Sequence, residues 1–212
     1  MIKAIIFDIG GVIVRTEDYS SRRQWEKKLG LAAWESETIV FNSEMGTKAQ
    51  SGAISDEALW IWVGQRLHLD ASELAAFRAG FWAGDVVDTD LVDFIRKLKG
   101  AGYQTAVISN ATDNLENALS HQHQIADAFD LIVGSATEKV MKPDPRIYQR
   151  TLARLGRHPA EAVFIDDFAH NIQAAQELGM ATIHFKKGTD VAAELAKLGV
   201  TPTKNQEKAN VG

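Results

Sequence analysis

Apolar residues follow two different spacings along the later part of the chain. From Thr89 onward, short uninterrupted apolar runs alternate with stretches in which apolar residues recur every three or four positions. The short runs are typical of strands buried on both faces of a parallel sheet, and the longer stretches are typical of helices that cover it. Together with a first run near the N-terminus, the predicted strands are residues 5–7, 105–108, 131–133, 162–165 and 181–185. Strands that alternate with helices through right-handed crossovers predict an α/β fold with a doubly wound parallel sheet.

Residues 15–85 interrupt this pattern, because they contain no convincing buried strand. Apolar spacing and glycine stops predict helices at 20–29, 32–44 and 55–67, and Asp70 with Glu73 has the capping-box spacing of a fourth helix start. Packing of a small helical bundle is the expected role of the five tryptophans, which all fall here: Trp25, Trp34, Trp60, Trp62 and Trp82. We therefore predict a core of residues 1–14 and 86–200, an inserted α-helical cap domain at 15–85, and a flexible tail at 201–212.

The composition narrows the function classes. Of 212 residues, 45% are hydrophobic and 24% are charged, which suits one sizeable core with a small inserted module. The net charge of −5 provides no general attraction to nucleic acid or an anionic membrane, and the absence of cysteine excludes thiol catalysis and thiolate metal sites. No apolar run approaches the roughly 18 residues of a membrane span, and no signal-peptide pattern is present. We expect a cytoplasmic monomer or homodimer that binds neither nucleic acid nor membrane.

Polar side chains follow three of the predicted strands at the point where each strand ends. In an open parallel sheet these carboxyl ends lie at one edge, where such folds bind ligands. Each group has an ordinary explanation on its own, as a helix cap, a turn residue or a solvated lysine. Their coincidence at one edge favours a site, and its candidate residues are Asp8, Ser109, Asn110, Asp166 and Asp167, with Lys142 in a neighbouring loop.

The chemistry of these groups is coherent. Three crowded carboxylates repel one another, and a hard divalent cation such as Mg²⁺ relieves that repulsion. A phosphate bound to the metal would have its other oxygens balanced by Lys142 and the Ser109 hydroxyl. Gly10 and Gly11 let the backbone turn sharply and bring its N–H groups close to an anion. A carboxylate held against phosphorus acts as a nucleophile and gives an aspartyl-phosphate.

The residues quoted above resemble the four motifs of the haloacid dehalogenase-like hydrolase superfamily. The matching stretches are FDIGGVIV, VISNAT, MKPDPRIY and IDDFAHN, and the resemblance extends from about Lys3 to Phe185. It implies a Rossmann-like core with the predicted strands in the spatial order 5-4-1-2-3, and a small helical cap after the first motif. The roles it implies are a nucleophile at Asp8, phosphate binding by Gly11, Ser109, Asn110 and Lys142, with Lys142 also catalytic, and Mg²⁺ binding by Asp8, the Gly10 carbonyl, Asp166 and Asp167.

Within the superfamily the chain resembles sugar-1-phosphate phosphatases and the N-terminal phosphatase domains of epoxide hydrolases, and the stretch GAISDEALW adds weaker support. This implies a Mg²⁺-dependent phosphatase that acts on a small phosphorylated metabolite, with glucose 1-phosphate or a similar sugar phosphate as the leading candidate. Substrate choice would depend on cap side chains whose orientation the sequence does not give. Candidates are Arg15, Tyr19, Arg23 and Trp25.

One position departs from the phosphatase pattern. The family's general acid and base is an aspartate two residues after the nucleophile, and Gly10 stands there. Its carbonyl can bind a metal, but it has no side chain to protonate a leaving alkoxide or activate water, a contribution on the order of 10²–10⁴-fold. Some members of the resembled sugar-phosphatase subgroup also have glycine at this position. Glu17 and Asp18 are the nearby acids that could substitute, and a slow enzyme or a narrow substrate range would also follow.

Three other interpretations compete with a phosphatase. A 2-haloacid dehalogenase of the same superfamily also lacks the second aspartate, but its chemistry needs no metal, so the pair Asp166 and Asp167 argues against it. A non-catalytic relative that binds a phosphorylated ligand or a protein is supported only by Gly10. A receiver domain would have its acidic pair at the first strand, whereas this chain has the pair at the fourth.

Overall fold

A computed structural model describes residues 1–202 of the chain. Its strands are β1 (Ala4–Phe7), β2 (Val14–Thr16), β3 (Asp85–Val87), β4 (Gln104–Ser109), β5 (Leu131–Gly134), β6 (Ala162–Asp166) and β7 (Ala181–His184). The helices before β4 are α1 (Ser20–Leu29), α2 (Glu35–Glu37), α3 (Glu44–Gln50), α4 (Asp56–Arg66), α5 (Ala71–Trp82) and α6 (Thr89–Gly100). Those after β4 are α7 (Leu115–Asn117), α8 (Ser135–Glu138), α9 (Pro145–Leu155), α10 (Ala169–Glu177) and α11 (Val191–Lys197). None of the helices within residues 1–202 is long and apolar enough to cross a membrane.

Five strands form one parallel sheet in the order β5-β4-β1-β6-β7. In this register Phe7 lies between Val107 of β4 and Ile165 of β6. The predicted strand order is therefore confirmed, with the strand that precedes Asp8 at the centre of the sheet. Because β1, β4 and β6 are parallel neighbours, their carboxyl ends meet at one edge, as the site requires.

The sheet is buried on both faces, which explains why its strands are uninterrupted apolar runs. Ile5 and Phe7 contribute to a cluster on one face with Val107 and Ile165. Ala4 and Ile6 contribute to the opposite cluster, beneath α9 and α10. Burial of each isoleucine or phenylalanine removes apolar surface that is worth about 1.5–3 kcal/mol. The loop after β1 therefore begins from a rigid, fully buried strand.

The helices α1 to α5 have an apolar cluster of their own. Phe77 and Phe81 of α5 are fully buried in it, and Trp25 and Trp60 pack edge-on against Phe77. The capping box of Asp70 and Glu73 is present at the start of α5, as the spacing predicted. Their separate cluster is consistent with a cap, although the domain boundaries themselves remain a prediction.

One local expectation for the early helices was wrong. The predicted helix 32–44 is interrupted: α2 passes into a π-helical turn at Thr38–Asn42, and α3 then continues through Gly46. A side chain at Gly46 would lie 2.4 Å from the Val40 carbonyl, so close packing explains this glycine better than a helix stop. The polar stretch after β4 contains only the short α7 and a π-helical turn at Ala118–Gln122.

The two-stranded antiparallel sheet formed by β2 and β3 was not predicted. β2 leads from the loop after β1 into the early helices, and β3 leads from those helices back to α6. Of the predicted tail at 201–212, residues 203–212 lie outside the described part of the chain.

Candidate active site

Asp8 lies at the carboxyl end of the central strand and is almost fully buried. Its backbone N–H donates to the Ile165 carbonyl at 2.9 Å, which continues the β1–β6 pairing to the site. Its carboxylate Oδ1 accepts the N–H of Ile9 at 2.7 Å. The burial raises the pKa of the Asp8 carboxyl from 3.8 to about 7; the Lys142 ammonium opposes this rise and the Asp166 carboxylate adds to it.

Lys142 is the cation nearest to this carboxylate. Its ammonium Nζ lies 2.9 Å from Asp8 Oδ2 and 2.7 Å from Asp166 Oδ2, and its side chain is 1% exposed. Asn110 fixes the lysine backbone from both sides, because its side-chain amide accepts the Lys142 N–H at 2.8 Å and donates to the Lys142 carbonyl at 2.9 Å. The Asn110 side chain therefore positions Lys142.

The two adjacent aspartates after β6 have different surroundings. Asp166 accepts hydrogen bonds at both oxygens: from the Phe168 N–H at 2.8 Å, from Asn171 Nδ2 at 3.0 and 3.1 Å, and from Lys142. Asp167 Oδ1, in contrast, is buried without a hydrogen-bond partner among the described residues. Burial, with a contribution from the Asp166 charge, raises the pKa of Asp167. Asp166 is therefore saturated by protein donors, whereas Asp167 has a free oxygen.

Asn171 is a site residue that was not predicted. Its side-chain amide donates to both oxygens of Asp166, and its backbone carbonyl accepts the Tyr148 hydroxyl at 3.2 Å. The residue is buried in the first turn of α10. A buried asparagine in the IDDFAHN stretch, five positions after Asp166, is the signal that could have indicated it.

The two glycines after the nucleophile differ in what they contribute. Gly11 has φ +80°, and a side chain there would lie 2.3 Å from Asp167 Oδ2, so only glycine leaves room for that carboxylate. Its N–H donates to the Val14 carbonyl at 2.9 Å, and the phosphate contact of Gly11 stays a prediction. Gly10 is exposed, and a side chain built on it meets nothing within 4 Å.

The geometry fits a divalent cation. Carboxylate oxygens of Asp8, Asp166 and Asp167 lie within 4.8 Å of one another, well inside the separation of about 10 Å that would have excluded a common metal. The unpartnered Asp167 oxygen is the group that most needs a cation, because a buried unpaired charge is costly. Since Asp166 is already saturated, it is better suited to orient Lys142 than to bind a metal directly. Ser109 is the last residue of β4. It is also buried, and it completes the predicted group at the sheet edge.

A cleft of about 1880 Å³ lies between the sheet edge and the helices of residues 15–85, and it is lined by Asp8, Ser109, Asn110, Lys142 and Asp167 but not by the fully buried Asp166. Of the predicted substrate contacts, Arg15 and Tyr19 line it. Trp25 packs against Phe77 instead, and Arg23 is ion-paired with Glu26 and Glu37. Of the two candidate substitute acids, Glu17 lines the cleft, whereas the Asp18 carboxylate accepts bonds from the Ser20 N–H and hydroxyl.

Comparison with known proteins places this arrangement in a family. The sequence matches the family described as haloacid dehalogenase-like hydrolase over residues 2–179. A sesquiterpene phosphatase of Aspergillus oryzae is 30% identical over 196 residues, which are 92% of this chain and 96% of that protein. An (S)-2-haloacid dehalogenase of Burkholderia cepacia is 33% identical over 110 residues, which are 51% of this chain and 48% of that protein.

A solved structure agrees with the fold. A HAD family enzyme of Bacteroides thetaiotaomicron, in complex with magnesium and inorganic phosphate, has a TM-score of 0.77 at 24% identity and covers 92% of this chain and 99% of its own. Together with the family match over most of the sequence, these similarities show that the chain belongs to the haloacid dehalogenase-like hydrolases and is an enzyme of that family.

Proposed function

We propose that the chain is a Mg²⁺-dependent phosphatase that removes phosphate from a small phosphorylated metabolite, with Asp8 as the nucleophile. One observation carries this proposal: the buried Asp8 carboxylate lies beside a second carboxylate, Asp167, that has an unpaired oxygen. An arrangement of this kind is unfavourable in a purely structural role and suits a bound cation and phosphate. The phosphatase relative of similar length supports it.

The binding roles follow from the contacts. Asp8, the Gly10 carbonyl and Asp167 would hold Mg²⁺, and Asp166 would act through Lys142. When bound, the ion would neutralise the carboxylates and draw charge from the phosphoryl oxygens. The Ser109 hydroxyl, the Asn110 N–H and the Lys142 ammonium are the donors for the remaining phosphate oxygens.

The reaction would proceed in two displacements. A carboxylate oxygen of Asp8 attacks phosphorus, the bond from phosphorus to the alcohol oxygen breaks, and the leaving alkoxide takes up a proton. Water then attacks the phosphorus of the aspartyl-phosphate, loses a proton, and releases phosphate and the Asp8 carboxylate. In the structure, the Ile9 N–H and the Lys142 ammonium contact the two Asp8 oxygens at 2.7 and 2.9 Å and would orient the carboxylate for attack.

The deciding experiment measures hydrolysis of p-nitrophenyl phosphate by the full chain. We expect turnover with Mg²⁺, loss of turnover in excess chelator, and recovery when Mg²⁺ is restored. Asp8→Asn should abolish turnover, because an amide is a poor nucleophile. Asp93→Asn, at an exposed ion pair on α6, is the matched control and should leave the rate unchanged.

The competing dehalogenase chemistry is tested in the same preparation. Release of chloride from 2-chloropropionate in the presence of chelator, without phosphatase activity, would overturn the proposal in favour of a dehalogenase. Absence of both activities across a panel of phosphorylated metabolites would overturn it as well.

A further inference from the structure

Aromatic side chains from the helices of residues 15–85 form one side of the cleft. We call the group Tyr19, Trp34, Phe41 and Trp82 the aromatic wall, and all four line the same cleft as Asp8. Its rings form two edge-on pairs, with 5.0 Å between the centroids of Tyr19 and Trp34 and 5.8 Å between those of Phe41 and Trp82. Trp34 and Trp82 are 54% and 41% exposed. Large apolar side chains left in solvent along a cleft that also contains a candidate nucleophile indicate a binding surface.

The backbone of Trp34 supports this interpretation independently. Trp34 has φ 71°, a left-handed conformation that is uncommon for a bulky residue and costs on the order of 1–3 kcal/mol. The Arg23 guanidinium lies 4.1 Å from the centroid of the Trp34 ring and holds it in place. The surrounding structure thus keeps an unfavourable backbone that directs an indole into the cleft.

The aromatic wall is fixed to the catalytic loop through β2 and β3. Arg22, buried behind the wall, lies 4.2 Å from the centroid of Phe81 and 5.6 Å from that of Tyr19. Its guanidinium donates to Thr16 of β2 at 3.1 Å and to Asp85 of β3 at 3.0 Å. Since β2 follows the loop that begins at Asp8, these bonds connect the helices of the wall to the same segment of chain as the candidate nucleophile.

Charges on this side of the cleft are neutralised within the protein. Arg15 is paired with Glu17 and Asp88, Arg22 with Asp85 and Glu37, and Arg78 with Asp56. Within residues 1–202, the cleft-lining lysines and arginines without an acidic partner are Lys186 and Lys187, which belong to the loop after β7. The wall therefore offers an approaching substrate apolar area and no free charge.

From these observations, and resting on the proposed phosphatase function, we infer that the substrate is a phosphate monoester whose alcohol part is large and apolar. The phosphate would bind at Ser109 and Lys142 while the hydrocarbon or aromatic part covers the aromatic wall and removes it from water. A sugar in the same place would lie with hydroxyl groups against the ring faces, which offer less to a hydroxyl than to a hydrocarbon. The inferred substrate therefore differs from the sugar phosphates that the sequence resemblance implied.

The test uses n-alkylphosphonates as competitive inhibitors of p-nitrophenyl phosphate hydrolysis, because their carbon–phosphorus bond is not cleaved. We expect the inhibition constant to fall with chain length from ethyl to octyl, by up to about fourfold for each added methylene. Glucose 1-phosphate should inhibit more weakly than octylphosphonate. Titration of tryptophan fluorescence with octylphosphonate in the presence of Mg²⁺ gives the same affinity without any turnover.

Variants test whether the aromatic wall causes the dependence of inhibition on chain length. Trp34→Asn should flatten the dependence on chain length, and asparagine tolerates the left-handed backbone, so the fold should be preserved. The matched control is Ile61→Asn, because Ile61 is 52% exposed on α4 away from the cleft and the dependence should persist. Hydrolysis of p-nitrophenyl phosphate with no dependence on chain length would overturn this inference and leave the phosphatase intact. Octylphosphonate binding without any phosphatase activity would overturn the proposed reaction, and with it the assignment of the wall to a substrate.

Discussion

At the residue scale, the site places several charged groups in a buried region, which is unfavourable for folding. Three carboxylates share a buried region with the one ammonium of Lys142. Burial and like charge both disfavour this arrangement, and the raised pKa values of Asp8 and Asp167 express the same conflict. Perturbed carboxyls of this kind cluster at functional sites. The expected consequence is that Asp8 reduces the stability of the metal-free protein.

Asp8→Asn should therefore stabilise the metal-free protein above neutral pH. The folded-state pKa of about 7 lies above the ordinary 3.8, so between these values the folded state binds more protons than the unfolded state. Stability of the wild type should fall as pH rises from about 4 to about 7, and the asparagine variant lacks this loss. At about 1.4 kcal/mol per pKa unit, the advantage of the variant should reach about 4 kcal/mol at pH 8 and vanish near pH 4.

Urea unfolding of both proteins at pH 5 and pH 8, with a metal chelator present, measures this difference. Asp93→Asn serves as the control for loss of a carboxylate on the surface. Equal stability of wild type and Asp8→Asn at pH 8 would contradict the prediction that the buried Asp8 carboxylate lowers the free energy of unfolding.

Gly10→Asp should raise turnover, and most for alkyl phosphates. There is open space around a side chain at Gly10, so a carboxylate fits where the family's acid and base stands. Primary alkoxides need protonation more than aryl oxides do, and water attack on the aspartyl-phosphate needs a base. The wild type should accordingly show a burst of p-nitrophenol followed by slow turnover, and the variant should lose the burst.

Gly10→Ala and Gly11→Ala make a matched pair of controls for that substitution. Gly10→Ala should leave turnover unchanged. Gly11→Ala should inactivate the enzyme, because its side chain would displace Asp167. If Gly10→Asp folds and changes no rate, then another acid, with Glu17 the candidate in the cleft, already performs this step.

At the element scale, the features that could be predicted are those that depend on local pattern. A strand buried on both faces must be an apolar run, and a parallel sheet must bring the ends of its strands together, so Asp8, Ser109 and Asp166 could be placed from the sequence. The β2–β3 pair could not, because Arg15 and Asp85 are polar and the pairing joins segments separated by the whole set of early helices. Roles that depend on side-chain direction, such as that of Asn171, also require the structure.

The β2–β3 pair depends on one buried arginine. Arg22 of α1 donates to the Phe81 carbonyl at 2.6 Å and bonds Thr16 and Asp85. Arg22→Met should destabilise the protein by about 3 kcal/mol, because it leaves the mostly buried Asp85 carboxylate without its cationic partner, whereas Glu37 keeps its ion pair with Arg23. Arg22→Lys should recover only part of this, since an ammonium cannot reach all of these partners in the geometry of a guanidinium.

Chemical denaturation measures the loss of stability in these variants, which is compared with the loss in Arg96→Met. Arg96 also pairs with two aspartates, Asp93 and Asp127, but on the surface, where loss of such pairs costs about 1 kcal/mol or less. A loss for Arg22→Met no larger than that for Arg96→Met would show that the arginine does not hold the pair together.

At the scale of the whole molecule, the site exists only when several distant segments are folded together. Asp8, Lys142 and Asp167 come from three separate loops, and their approach depends on the pairing of β1 with β4 and β6. On the opposite side of the cleft, Thr112 donates to Asp56 of α4 at 2.8 Å, and Ser135 donates to the Gln50 carbonyl at 2.6 Å. The helices are thereby anchored to the same sheet edge that carries the candidate catalytic groups.

Mg²⁺ should therefore bind the folded chain alone and raise its melting temperature. Binding to the folded state at one hundred times the dissociation constant adds about 2.7 kcal/mol to stability. The pKa of about 7 at Asp8 means that a proton competes with the metal below neutral pH, so the stabilisation should be large at pH 8 and small at pH 5.5. Differential scanning fluorimetry at matched ionic strength, with NaCl as the control, measures it. Asp8→Asn and Asp167→Asn should both lose the Mg²⁺ effect, whereas an undiminished shift in both variants would place the metal elsewhere.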